Sequence, residues 1–420
     1  MPKRLNGAVL GGGGCFSPVD PASCYKGHLS SRKQPMPEIA KKTGSSAAFN
    51  REAMGQVVLV LQGGGALGAY QVGVYQAMHE AGIEPDWVIG TSIGAINAAI
   101  IAGNSPNMRL ARLTEFWMRM RHNPMTQMAA SIPGWGGIAA NAMTATGGVQ
   151  GFFHPNPMAF WTDFFPIDPE KAGFYSTAPL EQTLHDVIDL DLLNACTTRL
   201  TVGAAHVQSG ELRYFDSRDG ALTLRHIMAS GALPPAFPAV RIDGELYWDG
   251  GILSNTPVEA VFDDSPRYSG VVFAVHIWNP TGPEPDTIQR VISRQKDLQY
   301  ASRATAHIAR QKQLHKLRHV IAELAAALPE AKRNTPEMRA LAGYGCLTRM
   351  HVVRLLAPPL AGEDHSKDID FSPAGIRARW DAGYADTKRV LEQQPWIGDF
   401  DPMEGFVLHE AAAGDMIKEG

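Results

Sequence analysis

Between Gln56 and Gly103 the chain twice repeats one pattern: a short apolar run, a glycine-rich turn and a helical stretch. Val57-Val58-Leu59-Val60-Leu61 is apolar at every position and rich in β-branched residues, as expected of a strand buried on both faces. A glycine loop follows. Tyr70 to Ala81 then carries Val74, Ala77, Met78 and Ala81 at helical spacing, with Gly82 placed to end the helix. Trp87-Val88-Ile89-Gly90 predicts a second strand, and Ile93 to Ala102 a second helix closed by Gly103. Strand, helix, strand, helix within about fifty residues constrains the chain to a parallel α/β sheet.

The rest of the chain is compatible with that sheet. Leu200 to Val207 and Glu211 to Phe215 predict a hairpin through Gln208-Ser209-Gly210. Leu246-Tyr247-Trp248, Val271 to Ile277 and Met350 to Leu356 predict further strands. Thr287 to Leu328 predicts a long helical stretch, continuous or broken once, and Pro373 to Leu391 a last helix. Residues 1–54, rich in Gly, Pro, Ser and Lys, read as a disordered leader or a start assigned too early. From Ser105 to Phe174 the pattern loosens into an irregular insertion rich in Met, Trp, Phe, Gly and Pro, of the kind that serves as a lid or binding loop.

Composition narrows the function. The 420 residues are 45% apolar, enough for one large domain or two ordinary ones. Lys and Arg number 38 against 42 Asp and Glu, so a chain living on phosphate-backbone contacts is disfavoured and no nucleic-acid partner is expected. Cys15, Cys24, Cys196 and Cys346 are too scattered for a disulfide framework or a zinc site, and a reducing compartment, the cytoplasm, is expected. The longest apolar run, Val88 to Gly103, contains Thr91, Ser92 and Asn97 and falls short of the ~20 residues of a membrane span.

Three glycine-rich signatures carry chemistry. Gly63-Gly64-Gly65-Ala66-Leu67-Gly68 lies between a strand and a helix. It fits a dinucleotide-binding loop, but that motif wants an acidic residue at the end of the next strand, where Gly90-Thr91-Ser92 stands; Asp86 precedes that strand. The other reading is an oxyanion hole, with backbone N–H groups aimed at a developing negative charge. Gly90-Thr91-Ser92-Ile93-Gly94 sits at a strand-to-helix junction, where a sharp turn exposes a serine hydroxyl. The plainer alternative is a helix N-cap serine between packing glycines. Asp249-Gly250-Gly251 follows the strand ending at Trp248 and reads either as a simple turn or as the source of a base for Ser92. A histidine base is the other option, with His276, His315, His319, His351 and His409 as candidates. His276 falls inside an apolar strand, and His315 and His319 lie in a basic helix where a solvated face is expected.

Taken in this order, Gly63 to Gly68, Gly90-Thr91-Ser92-Ile93-Gly94 and Asp249-Gly250-Gly251 resemble the patatin-like phospholipase family over about Val57 to Phe262. The resemblance implies a three-layer α/β sandwich with a mainly parallel central sheet over 55–265, and a mostly helical C-terminal extension over 266–420 that partly returns to the sheet. It implies Ser92 as nucleophile, Asp249 as its only base, and the amides of Gly64, Gly65 and Ala66 as the oxyanion hole, with no metal or cofactor. Leu67 departs from the family, which often carries Lys or Arg there. Ser230-Gly231-Ala232-Leu233-Pro234-Pro235, Lys296-Asp297-Leu298-Gln299-Tyr300 and Asp370-Phe371-Ser372 are similar to a bacterial subgroup; the first is expected to pack near the site, and the others bring no function with them. The implied activity is hydrolysis of lipid acyl esters. The alternatives are hydrolysis of another acyl ester or thioester, such as an intracellular polyester, and a non-catalytic membrane-binding or scaffold role.

Two further expectations concern the substrate. Segment 105–174, with Trp117, Trp135, Phe152, Phe153, Phe160, Trp161, Phe164 and Phe165, is expected to cover the site and line an acyl pocket, or else to form a hydrophobic sub-core. Between Thr287 and Leu328, eight Lys or Arg stand against Asp297 and Glu323. Ile288, Ile292, Leu298, Ala301, Ile308, Leu317, Ile321 and Leu324 recur at helical spacing, so this stripe is expected to pack inward. The basic face would then be merely solvated, or would meet an anionic surface such as the inner membrane face.

Overall fold

A computed structural model describes residues 54–410, apart from 124, 127, 129–135, 160–164, 361–362 and 402; of 136–141 and 302–305 only the backbone is described. The leader expected over 1–54 therefore lies outside the described residues except for Met54, which is buried.

The strands are β1 (Gln56–Leu61), β2 (Trp87–Gly90), β3 (His154–Pro155), β4 (Tyr175–Ser176), β5 (Arg199–His206), β6 (Leu212–Asp216), β7 (Val240–Ile242), β8 (Glu245–Asp249), β9 (Gly270–His276), β10 (Met350–Leu356) and β11 (Phe406–Glu410). Nine of them form one sheet in the order β11-β10-β9-β1-β2-β5-β8-β7, with β6 also on β5; β3 and β4 pair separately. From β11 to β5 every pairing is parallel, and β6, β7 and β8 are antiparallel. β9, β10 and β11 thus belong to the same sheet as β1, and the last third of the chain is built into it.

The all-apolar β1 sequence follows from its position at the middle of the parallel sheet. Val57, Leu59 and Leu61 face one core, shared with the helices α1 (Ala69–Glu80), α2 (Ile93–Ala102) and α3 (Pro106–Arg119). Val58 and Val60 face another, with Phe262, Val272, Ile308 and Phe406. Helices therefore cover both faces, the arrangement that parallel strands require. Segment 105–174 is more regular than expected: it opens on α3, with Leu113, Phe116, Trp117 and Met120 buried, and contains α4 (Gly136–Gly147). Two more helices, α5 (Ala178–Val187) and α6 (Leu224–Ser230), lead toward β5 and β7.

Ile288–Ala327 is a single helix, α7, the continuous one of the two readings. Its apolar stripe does not pack inward as a whole. Ala301 and Ile308 are buried, whereas Ile288, Ile292, Leu298, Leu317 and Leu324 are exposed. At 1.5 Å per residue such a helix is roughly 60 Å long. His315 and His319, expected on a solvated face, are buried; the His315 ring meets Phe262 edge-on. The last long helix, α8 (Pro373–Gln393), lies on α1, where the Tyr70 hydroxyl donates to Asp386 at 2.9 Å and Trp380 Nε1 to Gln76 at 2.6 Å. Among the described residues no helix is long and apolar enough to cross a membrane.

Candidate active site

The topology of β5 brings two loop ends together. β2 runs parallel to β5 and ends with Gly90 opposite Val202; β8 runs antiparallel and ends with Asp249 opposite Ala204. β6 pairs with Thr201 to Ala205 and fills the other edge of β5, so β2 and β8 share one edge and their C-terminal ends point at each other. Ser92 and Asp249 follow directly from those ends.

Ser92 occupies a sharp elbow with φ 57° and ψ −127°, a conformation that costs a non-glycine residue on the order of 1–3 kcal/mol. Neighbouring groups hold it there. The Ser92 amide donates to the Ser230 carbonyl at 3.0 Å and to Ser230 Oγ at 3.1 Å, and Ser230 Oγ donates to the Gly203 carbonyl at 2.6 Å. A Cβ at Gly90 would overlap the Gly94 backbone, and one at Gly94 would overlap the Leu61 carbonyl, so the turn closes only with glycine at both positions. Ser92 is the N-cap residue of α2, as the plainer reading expects, but its side chain makes no capping bond. Its hydroxyl lies near the Asp249 carboxylate, close enough to lower that group's proton affinity, and both residues line one cavity.

Asp249 is 2% exposed. Burial pushes its carboxyl up to about 7, against the lowering effect of two donors, the Gly251 amide at 2.7 Å and the Ser92 hydroxyl. The simple-turn reading holds alongside this, since the same carboxylate caps the 3-10 turn Gly250–Ile252. Gly250 and Gly251 allow the turn to approach Gly203 and Asn255 closely.

The glycine loop faces this pair. Gly63 is held by three bonds: its amide donates to the Asn255 carbonyl at 3.2 Å, while its carbonyl accepts from Asn255 Nδ2 at 3.0 Å and Trp278 Nε1 at 2.8 Å. The Ala66 amide departs from its expected role, because it donates to the Asp368 carbonyl at 2.8 Å. Among the described residues the Gly64 and Gly65 amides have no such acceptor. At Gly68 the loop enters α1, and Asn97 Nδ2 donates to the Gly68 carbonyl at 3.1 Å. The dinucleotide reading gains nothing from Asp86, whose carboxylate accepts the Val57 amide at the opposite end of β1.

Ser92, Asp249, Gly63, Gly64, Gly65 and Gly251 line one cavity of about 260 Å³. Its walls are apolar, with Ile93, Ile96, Phe152, Phe153, Phe237 and Phe371, and Trp278, Tyr300, Asp368 and Ile369 also border it. The turn at Ser230 lies beside the site as expected, and Gly231 and Leu233 contribute to the lining. Of the insertion aromatics, Phe152 and Phe153 line the cavity and touch Phe237. Trp117 is core, stacked on Phe371; Phe165 is exposed; Trp135, Phe160, Trp161 and Phe164 lie outside the described residues. A larger groove of about 660 Å³, lined by Trp117, Arg121 and Trp380 among others, contains none of these groups.

None of the five candidate histidines lines the cavity. His276 is buried in β9 and held down to about 3 by desolvation; His351 and His409 stack on each other on β10 and β11. No cluster of His, Cys, Asp or Glu among the described residues could hold a metal. Sequence reasoning missed Asn255, Trp278 and Asp368. Trp278 follows the C-terminal end of a parallel strand, where sites in open α/β sheets collect, and that rule could have found it.

One apolar cavity is thus lined by a serine, a buried carboxylate of raised proton affinity and two glycines whose amides have no acceptor among the described residues, a set of groups suited to acyl transfer. A family model described as patatin-like phospholipase matches residues 59–262, and a second described as patatin phospholipase matches 298–403. Patatin-like phospholipase domain-containing protein 7 of Rattus norvegicus is 27% identical over 209 residues, 48% of this chain and 12% of its own length. A lysophospholipase of Aspergillus niger is 25% identical over 64% of this chain and 17% of its own length. An uncharacterized NTE family protein of Mycobacterium bovis is 30% identical over 54% of this chain and 31% of its own length. The chain thus spans less than a third of each of these relatives.

Proposed function

The chain belongs to the patatin-like phospholipase family, and from that premise we propose that it is a serine lipid acyl hydrolase with Ser92 as nucleophile and Asp249 as sole base. The observation that supports this is that Ser92 lines the same cavity as a buried carboxylate whose proton affinity is raised to about 7, with the serine hydroxyl near enough to act on that carboxyl. An aspartate near its usual value of ~3.9 is a weak base; desolvation at this site brings it into the range where taking and returning a proton are both feasible at neutral pH.

Ser92 Oγ attacks the ester carbonyl as its proton passes to Asp249. The carbonyl oxygen becomes an oxyanion that accepts from the Gly64 and Gly65 amides. Asp249 then gives the proton to the departing alkoxide, which leaves as the alcohol, and an acyl-Ser92 ester remains. Water attacks that ester with Asp249 again taking the proton, and collapse releases the carboxylic acid and restores the serine. Each oxyanion donor is worth about 3 kcal/mol of barrier. The apolar walls at Ile93, Ile96, Phe152 and Phe153 suit a hydrocarbon chain rather than a polar acyl group.

Access to lipid is peripheral in this reading. The helix that brings Tyr300 to the cavity also exposes Ile288, Val291, Ile292 and Leu298. Several of its cations are already engaged: Arg290 with Asp286, Lys296 with Asp368 and Lys312 with Glu404. The exposed apolar residues therefore make the main contact, with Arg310 and Lys316 adding a preference for anionic lipid. Incubating the pure protein with a total lipid extract tests the activity: released fatty acids and lyso-lipids are expected, and none with Ser92→Ala. Release that survives Ser92→Ala would overturn the assignment.

A further inference from the structure

The Lys296 to Tyr300 stretch and the segment just before Asp370 have no part in the mechanism above, yet they meet at the glycine loop. Lys296 and Asp297 are consecutive on α7, and Lys367 and Asp368 are consecutive in the segment ahead of α8. Their charges are crossed. Lys296 Nζ sits 2.7 Å and 2.9 Å from the two Asp368 carboxylate oxygens and donates to the His365 carbonyl at 3.0 Å. Lys367 Nζ sits 2.7 Å from Asp297 in a pair only 11% and 13% exposed.

Each ion pair leads to one end of the oxyanion loop. The main-chain carbonyl of Asp368 accepts the Ala66 amide at 2.8 Å. It also lies so close to Gly65, at φ 55°, that a Cβ there would overlap it. The Lys367 ammonium stands 5.3 Å from the centroid of the Trp278 ring, and Trp278 Nε1 holds the Gly63 carbonyl. Between the two, Gln62 Nε2 donates to the Tyr300 carbonyl of α7 at 3.2 Å, and Gln62 Oε1 accepts the Ile277 and Trp278 amides. Gly63 and Ala66 are thus fixed from outside the loop, and they bracket the two amides that have no acceptor of their own.

We propose that the crossed pairs Lys296–Asp368 and Asp297–Lys367 are a positioning device that sets the Gly64 and Gly65 amides for the oxyanion. Charge pairing holds the Asp368 carbonyl against Ala66 and the Trp278 indole against Gly63, so the loop needs no rearrangement as negative charge develops. Preorganised donors of this kind act on the transition state more than on the bound ester. The inference rests on the hydrolase reading.

The test compares wild type, Lys296→Met and Lys296→Arg on a soluble short-chain p-nitrophenyl ester, which removes the membrane from the measurement. Lys296→Met is expected to lower kcat by about 10- to 100-fold, with KM changed less than about twofold, and to slow fluorophosphonate labelling of Ser92 in parallel. Lys296→Arg keeps the charge and should recover most of the rate. Asp368→Asn removes the pairing while leaving the carbonyl that Ala66 uses. It should behave as Lys296→Met does, and it carries the test if the methionine variant does not fold. A folded Lys296→Met with wild-type kcat, or with a change in KM alone, overturns the positioning role while the hydrolase stands. Wild-type protein that neither labels at Ser92 nor turns over the ester overturns the hydrolase reading and the positioning role with it.

Discussion

Replacing Asp249 by asparagine separates the cost of the buried carboxylate from its use. The side chain keeps its shape, and Oδ1 still accepts the Gly251 amide. What disappears is a charge at a site that is 2% exposed. The carboxyl is raised from 3.8 to about 7 by burial, a gap of about three units at about 1.36 kcal/mol each, so the ionised form costs the folded state about 4 kcal/mol. Between these two values the folded chain holds a proton that the unfolded chain has released. Wild-type stability therefore falls as pH rises through that window, and the asparagine variant lacks this component. Asp249→Asn should match wild type near pH 4 and exceed it by up to about 4 kcal/mol near pH 8, with hydrolysis abolished throughout. Urea unfolding of both proteins near pH 4, 6 and 8 measures the difference. A gap that does not widen with pH, or a variant less stable than wild type near pH 8, would refute desolvation as the cause of the raised value.

Three further outcomes follow from the same geometry. Because the base must be ionised to accept the serine proton, kcat/KM should rise with pH through an apparent value near 7 and then level off; a rate that falls with pH over that range contradicts Asp249 as the base. Phe153→Ala should shift the preference toward longer or bulkier acyl groups, read from a series of p-nitrophenyl esters, whereas a loss of stability with an unchanged profile would make Phe153 core only. Arg199→Met leaves Asp216 and Asp264 buried without their shared guanidinium and should cost about 3–5 kcal/mol in denaturant unfolding. The activity of the folded fraction should be retained, since Arg199 lies at the far end of β5 from Gly203.

The strand–loop–helix repeat was legible because each of its parts is a local device. A strand buried on both faces must be apolar throughout, and each turn must carry glycine where backbone meets backbone, as Gly90 and Gly94 do. The nearness of Ser92 to Asp249 depends on how β2 and β8 share an edge of β5, which no local pattern states. α3 was missed although Leu113, Phe116, Trp117 and Met120 follow helical spacing, because the irregular sequence after it set the reading for the whole segment. The stripe on α7 misled for a physical reason. Periodicity shows that a helix has an apolar face, but it does not show that another element covers it; among the described residues the buried positions of α7 are Ala301, Ile308, Gln311, His315 and His319, which overlap the stripe only in part. Asp368 and Trp278 reach the glycine loop through contacts more than 200 residues apart in sequence, and the charges of Lys296 and Asp297 looked like ordinary helix surface until their partners were in view.

In the proposed mechanism Ser92 carries the acyl group between two half-reactions. Rapid acid quenching during turnover of an ester, followed by digestion and peptide mass analysis, reads this directly. The acyl mass is expected on the peptide containing Ser92, present in wild type and lost in both Ser92→Ala and Asp249→Asn. An acyl group on any other side chain, or steady hydrolysis with no acylated peptide at any quench time, would contradict it.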